Sequence, residues 1–297
     1  MQHYYLLLLL MNFKQLEQYF ITETADLYEV EESKQLFYII VEQLTGWSRS
    51  LLLMRKEEGV GNERYSRFEG IIAAVKKGVP VQHIFSEAWF YGLKFKVNSS
   101  VLIPRPETEE LVEWILNDRD PAGIRTRILD IGTGSGCIAI ALQKFGHAVE
   151  ADAMDISGEA LAIARENALF NSTMVNFIQK DILQENHNPD SKKTYEYDVI
   201  VSNPPYITAD ERLEMHQNVL DHEPHLALFV TNENPLVFYK AIADFALQNL
   251  AEGGHLYFEI NEYLGKEMVE MLAAKGFISI VLNKDMQGKD RMIRCSL

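Results

Sequence analysis

Cysteine is nearly absent from this sequence. Only Cys137 and Cys295 occur among 297 residues, and they form neither a CxxC pair nor the Cys/His spacing of a zinc site. His222 and His225 are separated by a segment containing Pro224, which disfavours a helix, so we interpret this stretch as a loop near the active site. We therefore predict no metal, no disulfide framework and a cytoplasmic location.

Basic residues are also in short supply. The chain has 28 Lys and Arg against 43 Asp and Glu, a formal net charge of -15. A field of that sign repels the phosphates of nucleic acids, and no Lys/Arg run interrupts it. The sequence therefore disfavours direct nucleic-acid binding and favours a protein or a small molecule as the partner.

The apolar run at the N-terminus is too short for a membrane span. Leu6 to Leu10 falls well below the roughly 20 apolar residues that cross a bilayer. The run also lacks the basic segment and the small-residue cleavage site of a signal peptide. We interpret residues 1–10 as a leader without a structural role, favour Met11 as the natural start, and predict no membrane partner.

The remaining composition indicates a globular protein with a sizeable core and two domains, since 47% of residues are apolar and 24% are charged. Residues 11–84 are predicted to form a small all-α domain, because apolar residues recur at helical spacing. Residues 85–103 are predicted to form a β-hairpin linker around Gly92, and residues 104–297 the larger domain. The helical stripes are Leu36, Ile39, Ile40, Leu44 and Tyr65, Phe68, Ile72, Val75.

Strand and helix patterns alternate beyond Arg127, which predicts an α/β domain with a mostly parallel sheet and helices on both faces. Predicted helices include Glu159 to Phe170 and Pro235 to Leu250. The predicted strands are Arg127 to Ile131, Val149 to Met154, Val175 to Gln179, Tyr197 to Ser202, His255 to Ile260, Phe277 to Leu282 and Arg291 to Cys295.

A glycine-rich loop follows the first of these strands. Its glycines permit strained backbone angles and a close approach of a ligand to the main chain. A dinucleotide-binding loop is G-x-G-x-x-G, whereas here the third glycine comes one residue early and Cys137 takes its place. NAD is therefore disfavoured, and the loop resembles motif I of class I S-adenosylmethionine-dependent methyltransferases. The predicted cofactor-binding residues of this loop are Asp130, Gly132, Thr133, Gly134, Ser135 and Gly136.

Two acidic residues end the next strands. Asp155 lies roughly twenty residues after the loop, the spacing at which a carboxylate reaches the hydroxyls of a ribose. A cap on the following helix is about as common for an Asp after a strand, but the glycine loop before it favours the ribose role, and we predict Asp155, Asp181 and Ile182 as cofactor-binding. In the methyltransferase pattern, Asp181 is placed near the adenine amino group and Ile182 against the ring, although a turn also explains an Asp there.

The segment Asn203-Pro204-Pro205-Tyr206 follows a buried-type strand and reaches the carboxyl edge of the sheet. One proline is enough to end a strand. Strand termination therefore leaves the second proline and the flanking Asn203 and Tyr206 unexplained. Amide and aromatic amine nitrogens are poor nucleophiles toward a sulfonium methyl group because their lone pair is delocalised. The Asn203 oxygen and the Pro204 carbonyl can each accept one N–H and orient the nitrogen, and Tyr206 can cover the planar group. We predict Asn203, Pro204 and Tyr206 as catalytic, all four residues as substrate-binding, and Asn203 as also touching the cofactor.

These motifs together resemble the N(5)-glutamine methyltransferases of peptide chain release factors, the HemK-like family, over nearly the whole chain. The resemblance implies a Rossmann-like class I methyltransferase sheet whose last strand is antiparallel, S-adenosylmethionine as cofactor, and the Gly-Gly-Gln loop of a release factor as substrate. It also implies that the helical domain of residues 11–84, with the hairpin linker, recognises that substrate. The resemblance rests on Val81 to Ile84, Phe90 to Gly92, Val101 to Glu109, Gly132 to Gly136, Asn203 to Ile207, Glu223-Pro224, Ala227-Leu228 and Gly288 to Arg291.

Other functions stay open from the sequence. A glutamine of a ribosomal protein would suit the same four-residue motif, and DNA or RNA base N-methyltransferases share it, although the acidic balance opposes them. A non-catalytic module that only binds the cofactor would have no use for Asn203. The chain departs from the family at Phe85-Ser86, where an apolar-Gly pair is usual, and at Asn261, where glycine is common. The first ten residues have no counterpart in the family.

Overall fold

A computed structural model describes residues 11–118, 125–184, 196–208, 210–211, 222–224 and 227–297. Residues 1–10, interpreted above as a leader, and His225 lie outside the described residues. The chain divides into two compact units, residues 1–86 with 216–222, and residues 87–215 with 223–297. No helix in the described ranges is long and apolar enough to cross a membrane.

The first unit is built from helices around an aromatic core, as predicted for the N-terminal region. Phe20, Phe37 and Phe68 pack with ring centroids 5.6 to 6.0 Å apart. The capping box of Asn12 and Gln15 starts the first helix by satisfying free backbone N–H groups. The helices are α1 Phe13–Thr24, α2 Val30–Thr45, α3 Arg49–Arg55, α4 Asn62–Val75 and α5 Val81–Phe85.

The predicted stripe on α4 is confirmed, because all four of its residues are buried. The predicted stripe on α2 is wrong in part, since Ile39 is 41% exposed. Phe37, Ile40 and Val41 form the buried face instead. The large ring of Phe37 enters the aromatic core, and this rotates the helix away from the face that the aliphatic residues alone predicted.

Ser86 ends α5 in a left-handed conformation, with φ 54° and ψ 29°. A side chain is disfavoured there, which explains why glycine is usual at this position. We expect Ser86→Gly to raise the free energy of unfolding by about 0.5–1 kcal/mol, because relief of strain exceeds the added chain entropy. Ser50→Gly, the same change at an exposed position inside α3, should lower it by a similar amount. Denaturant unfolding of both variants measures the two effects, and equal signs would contradict this explanation.

The predicted hairpin consists of β1 Glu87–Phe90 and β2 Leu93–Lys96, paired antiparallel. Tyr91 and Gly92 connect the strands with φ values of 49° and 73°, the left-handed pair of a tight two-residue hairpin turn. Phe90 and Phe95 are buried in the core of the second unit. The hairpin therefore supplies core residues to this unit, and its status as a separate linker stays a prediction.

The second unit contains a seven-stranded sheet in the order β5-β4-β3-β6-β7-β9-β8. The strands from β3 to β7 pair in parallel, and β9 runs antiparallel to both of its neighbours. This confirms the predicted mostly parallel sheet with its last strand antiparallel. The strands are β3 Thr126–Ile131, β4 Val149–Asp155, β5 Asn176–Gln179, β6 Tyr197–Ser202, β7 Leu250–Glu259, β8 Ile278–Lys284 and β9 Asp290–Ser296.

Helices cover both faces of the sheet, as the alternating pattern predicts. Ile128 and Val199 pack with α6, α7 and α8 on one face, whereas Leu129 and Ile200 pack with α9 and α10 on the other. Alternate residues of each strand thus enter two separate cores. The helices are α6 Pro106–Asn117, α7 Cys137–Phe145, α8 Gly158–Phe170, α9 Val237–Asn249 and α10 Gly265–Ala274.

Candidate active site

Three loops of the larger unit meet at the carboxyl edge of the sheet. The glycine loop follows β3, Asp155 ends β4, and Asn203 follows β6. Because β3 lies between β4 and β6 and pairs with both in parallel, the three segments are neighbours. The Ser202 hydroxyl on β6 donates to the Ile131 carbonyl on β3 at 2.6 Å, which joins two of these strand ends directly.

The glycine loop adopts backbone angles that favour glycine. Gly132, Gly134 and Gly136 have φ values of 73°, 55° and 83°. A Cβ atom at Gly132 or Gly134 would meet nothing within 4 Å, so the backbone there faces open space. A Cβ at Gly136 would lie 2.9 Å from Ile140 Cδ1 and 3.2 Å from Ala164 Cβ. The first two glycines thus leave room for a ligand, and the third allows α7 and α8 to pack closely.

Asp130 is fully buried at the end of β3. Its Oδ2 accepts the Thr133 hydroxyl at 2.6 Å and the Ala139 N–H at 3.3 Å. Its Oδ1 has no hydrogen-bond partner among the described residues. Burial raises the pKa of Asp130 to about 7, against the lowering effect of Thr133 and Ala139. An unsatisfied buried carboxyl oxygen at this loop suits a ligand that carries a hydrogen-bond donor.

Asp155 lies half-buried at the end of β4. One of its oxygens accepts the Gly134 N–H at 2.9 Å and the other accepts the Ser157 N–H at 2.9 Å. The cap of α8 is Ser157, whose hydroxyl accepts the Ala160 N–H. The alternative in which Asp155 caps that helix is therefore wrong, because the turn places Ser157 at the helix end. Burial raises the pKa of Asp155, opposed by these backbone N–H groups.

Asp181 and Ile182 follow β5, at the outer edge of the sheet. The Asp181 carboxylate accepts the Leu183 N–H and the Gln184 side chain, both at 2.9 Å. These bonds hold a single turn of 3-10 helix from Ile182 to Gln184, as the turn interpretation of Asp181 predicts. Ile182 is buried against the core that contains α9.

Asn203 to Tyr206 leave β6 as an irregular segment. Pro204 is buried, and Asn203, Pro205 and Tyr206 are half-buried. The Asn203 side-chain nitrogen donates to the Thr108 hydroxyl at 3.2 Å. Beyond the segment, Ile207 exchanges backbone hydrogen bonds with Leu228 and Val230. The chain is therefore anchored on both sides of the two prolines.

A buried carboxyl group that the sequence analysis missed lies beneath this segment. Glu259, at the end of β7, accepts the Thr108 hydroxyl at 2.6 Å and the Tyr206 hydroxyl at 3.4 Å. Burial raises its pKa to about 7, while Thr108 and Arg291 act in the opposite direction. The available signal was a glutamate at the carboxyl end of an otherwise apolar strand, between Phe258 and Ile260.

The sequence analysis also did not single out a buried ion pair in the larger unit. Arg105 and Glu223 form an ion pair at 2.5 Å, and the other Glu223 oxygen accepts the Ile103 N–H at 3.3 Å. The Glu223 side chain is 1% exposed. The ion pair joins the start of α6 to the segment after β6, and both partners lie in motifs that carry the family resemblance.

Asn261 occupies the position where the family commonly has glycine. It is buried, and its side-chain nitrogen donates to the Tyr206 carbonyl at 3.4 Å and to Glu211 at 2.6 Å. The departure thus supplies a hydrogen bond to the Asn203 to Tyr206 segment that a glycine could not make.

The arrangement suits a nucleoside ligand with a methyl-transfer centre next to it. One half of the site has open space over Gly132 and Gly134. The free oxygen of Asp130 and the carboxylate of Asp155 lie beside that space, and the Asn203 amide lies at the neighbouring strand end. Among the described residues, no group of three or more His, Cys, Asp or Glu side chains could hold a metal ion.

Two family models match the chain. The model described as methyltransferase small domain matches residues 108–227, and the PrmC N-terminal domain matches residues 22–85. A methyltransferase structure from Pyrococcus furiosus, 17% identical with a TM-score of 0.50, covers 77% of this chain and is itself covered to 98%. That likeness concerns the fold alone.

Curated relatives match over most of the chain. The release factor glutamine methyltransferase of Flavobacterium psychrophilum is 44% identical over 277 residues, 93% of this chain and 95% of the relative. The protein of the same description from Bacteroides thetaiotaomicron is 43% identical over 268 residues, 90% of this chain and 94% of the relative. At this identity and coverage, the chain belongs to the release factor glutamine methyltransferase family.

Proposed function

We propose that this protein methylates the side-chain amide nitrogen of the glutamine in the Gly-Gly-Gln loop of peptide chain release factors, with S-adenosylmethionine as the methyl donor. Membership of the family supports the reaction and the substrate. The observation that carries the proposal in the structure is the amide of Asn203, half-buried at the strand end next to the glycine loop.

The loops after β3, β4 and β5 would hold the cofactor. Asp155 would accept the ribose hydroxyls, and Asp130 would use its free oxygen near the methionine end. Asp181 and Ile182 would meet the adenine. S-adenosylmethionine, when bound, supplies an electrophilic methyl group on its sulfonium sulfur. The remaining members of the proposed site are Gly132, Thr133, Gly134, Ser135 and Gly136.

Asn203 to Tyr206 would prepare the substrate nitrogen. The Asn203 side-chain oxygen and the Pro204 carbonyl each accept one N–H of the glutamine amide, which turns the nitrogen lone pair toward the methyl group. Pro205 fixes the backbone between them. The Tyr206 ring covers the planar amide and offers its face to developing positive charge. Orientation is thus the main contribution of these residues, because Asn203 cannot act as a general base.

Transfer of a labelled methyl group tests the proposal. The purified protein is mixed with labelled S-adenosylmethionine and with one of four substrates: a release factor, its variant with Gln→Ala in the Gly-Gly-Gln loop, a ribosomal-protein glutamine substrate, or duplex DNA. We expect label only on the unaltered release factor. Label on DNA, or label that survives the Gln→Ala change, would contradict the proposal.

A further inference from the structure

The side-chain amide of Asn203 can point in two directions that differ by a half turn. In one, its oxygen faces the substrate side and can accept an N–H. In the other, its NH2 group faces that side and would meet the substrate amide with a donor. Orientation of the substrate nitrogen works only in the first case, so something in the protein must select it.

The Thr108 hydroxyl makes that selection. A hydroxyl has a single proton to donate, and Thr108 gives it to the Glu259 carboxyl at 2.6 Å. Thr108 can then only accept a hydrogen bond from Asn203, and the Asn203 nitrogen lies 3.2 Å from the Thr108 oxygen. With its NH2 group held by Thr108, Asn203 has its oxygen on the opposite side of the amide.

Glu259 is fixed independently of Asn203. It is 2% exposed, and Thr108 is 3% exposed, so water does not compete for their hydrogen bond. The Tyr206 hydroxyl donates to the second Glu259 oxygen at 3.4 Å, and the charge of Arg291 on β9 favours the carboxylate form. Arg291 is itself held by Asp285 at 3.1 Å.

We propose that Thr108 and Glu259 are positioning residues that lock the Asn203 amide with its oxygen toward the substrate nitrogen. This inference rests on the proposed function, since it concerns the same transfer. It also explains why α6 must begin beside the Asn203 segment. Thr108 lies in the first turn of α6, and both residues act on the substrate nitrogen through Asn203.

The inference predicts a dependence on pH. When Glu259 is protonated, its own proton can reach Thr108, which frees the Thr108 proton for the Asn203 oxygen and permits the wrong orientation. Because the pKa of Glu259 is raised to about 7, its carboxylate form grows as pH rises through that value, and kcat should rise with it. In Glu259→Gln this rise should be smaller, because only the contribution of Asp130, whose pKa burial also raises to about 7, is left. The groups that face Glu259 are Glu107 and Thr108 of α6, Cys137 of α7, Tyr206, Tyr239 of α9 and Arg291.

Three variants at two positions test the inference. Thr108→Val removes the hydroxyl at nearly constant shape and should lower kcat about tenfold, with the KM for S-adenosylmethionine within about twofold of the original. Thr108→Ser keeps the hydroxyl and should restore kcat to within about threefold. Thr173→Val is the matched control, because Thr173 donates to a backbone carbonyl at the end of α8, outside the proposed site, and should leave kcat unchanged.

The results separate this inference from the proposed function. If the original protein does not label the release factor, the proposed function fails. If it does, and Thr108→Val retains full kcat or Thr108→Ser fails to restore it, the positioning role is overturned. Should Thr108→Val melt far below the original protein, the pH profile of Glu259→Gln decides, and a rise through pH 7 as large as that of the original protein overturns the inference.

Discussion

Replacement of Asn203 with alanine is expected to lower kcat by about two to three orders of magnitude, the size usual for loss of one preorganised hydrogen-bonding group at a reacting centre. The affinity for the cofactor should fall less than tenfold. Asn203 supplies the acceptor that turns the substrate nitrogen, whereas the glycine loop and Asp155 supply most of the cofactor contacts. Single-turnover methyl transfer to a release factor and calorimetric binding of S-adenosylhomocysteine measure the two quantities separately.

The comparison of these two losses decides the role of Asn203. Equal losses of transfer and of cofactor affinity would mean that Asn203 only holds the cofactor. Asn98→Ala is a suitable control, because Asn98 is exposed after β2 and its side chain accepts the Ser100 N–H, away from the proposed site. It should leave both quantities unchanged.

The strands were predictable where their residues are apolar and β-branched, and less so elsewhere. Predicted and observed β6 coincide at Tyr197–Ser202. The start of β7 was predicted at His255 but lies at Leu250. Residues 251–254 are small, acidic or glycine, which hides a strand from an apolar pattern. They extend β7 to pair Leu250 with Tyr197 across a register shift.

The order of the strands could not be derived from the same pattern. The final strand β9 inserts between β7 and β8 and runs antiparallel to both, and nothing in the residue pattern of the three strands indicates this order. The family resemblance predicted only that the last strand runs antiparallel, and not its place between β7 and β8. Local periodicity fixes which residues face a core, but it contains no information about which strand becomes the neighbour of another.

The residues of the site also differ in how far the sequence could reveal them. The glycine loop and the Asn203 segment are contiguous motifs, and their residue types reveal their chemistry. Thr108 and Glu259 are 151 residues apart in the chain, and their hydrogen bond arises only because α6 packs beside β7. A buried hydroxyl and a buried carboxyl each look ordinary in sequence. Their role follows from the hydrogen bond between them, and only the three-dimensional structure shows that bond.

Ser86 and Asn261 both stand where the family commonly has glycine, and the two replacements have opposite effects. At Ser86 the backbone retains the left-handed angle that glycine would occupy without strain. At Asn261 the new side chain gains hydrogen bonds to Tyr206 and Glu211. One departure therefore costs local stability, and the other adds a hydrogen bond near the proposed catalytic segment.

Replacement of Asp155 with alanine is expected to weaken cofactor binding about 100-fold. Each oxygen of a carboxylate can accept two hydrogen bonds, and each Asp155 oxygen accepts one backbone N–H, from Gly134 or Ser157. The Ile156 N–H also lowers the pKa of this carboxyl, and together these backbone groups leave part of the acceptor capacity of the carboxylate for the hydroxyls of a ribose. Two hydrogen bonds to a charged group contribute about 3 kcal/mol together, which corresponds to the expected factor.

Ser157→Ala separates this loss from damage to the turn. It removes the α8 cap, which costs about 1 kcal/mol of stability, while it leaves the Asp155 carboxylate in place. We expect its affinity for S-adenosylhomocysteine to stay within about twofold of the original, measured by calorimetry beside Asp155→Ala. If the two variants lost the same affinity, the turn and not the carboxylate would hold the cofactor, since only Asp155→Ala removes the acceptors proposed for the ribose.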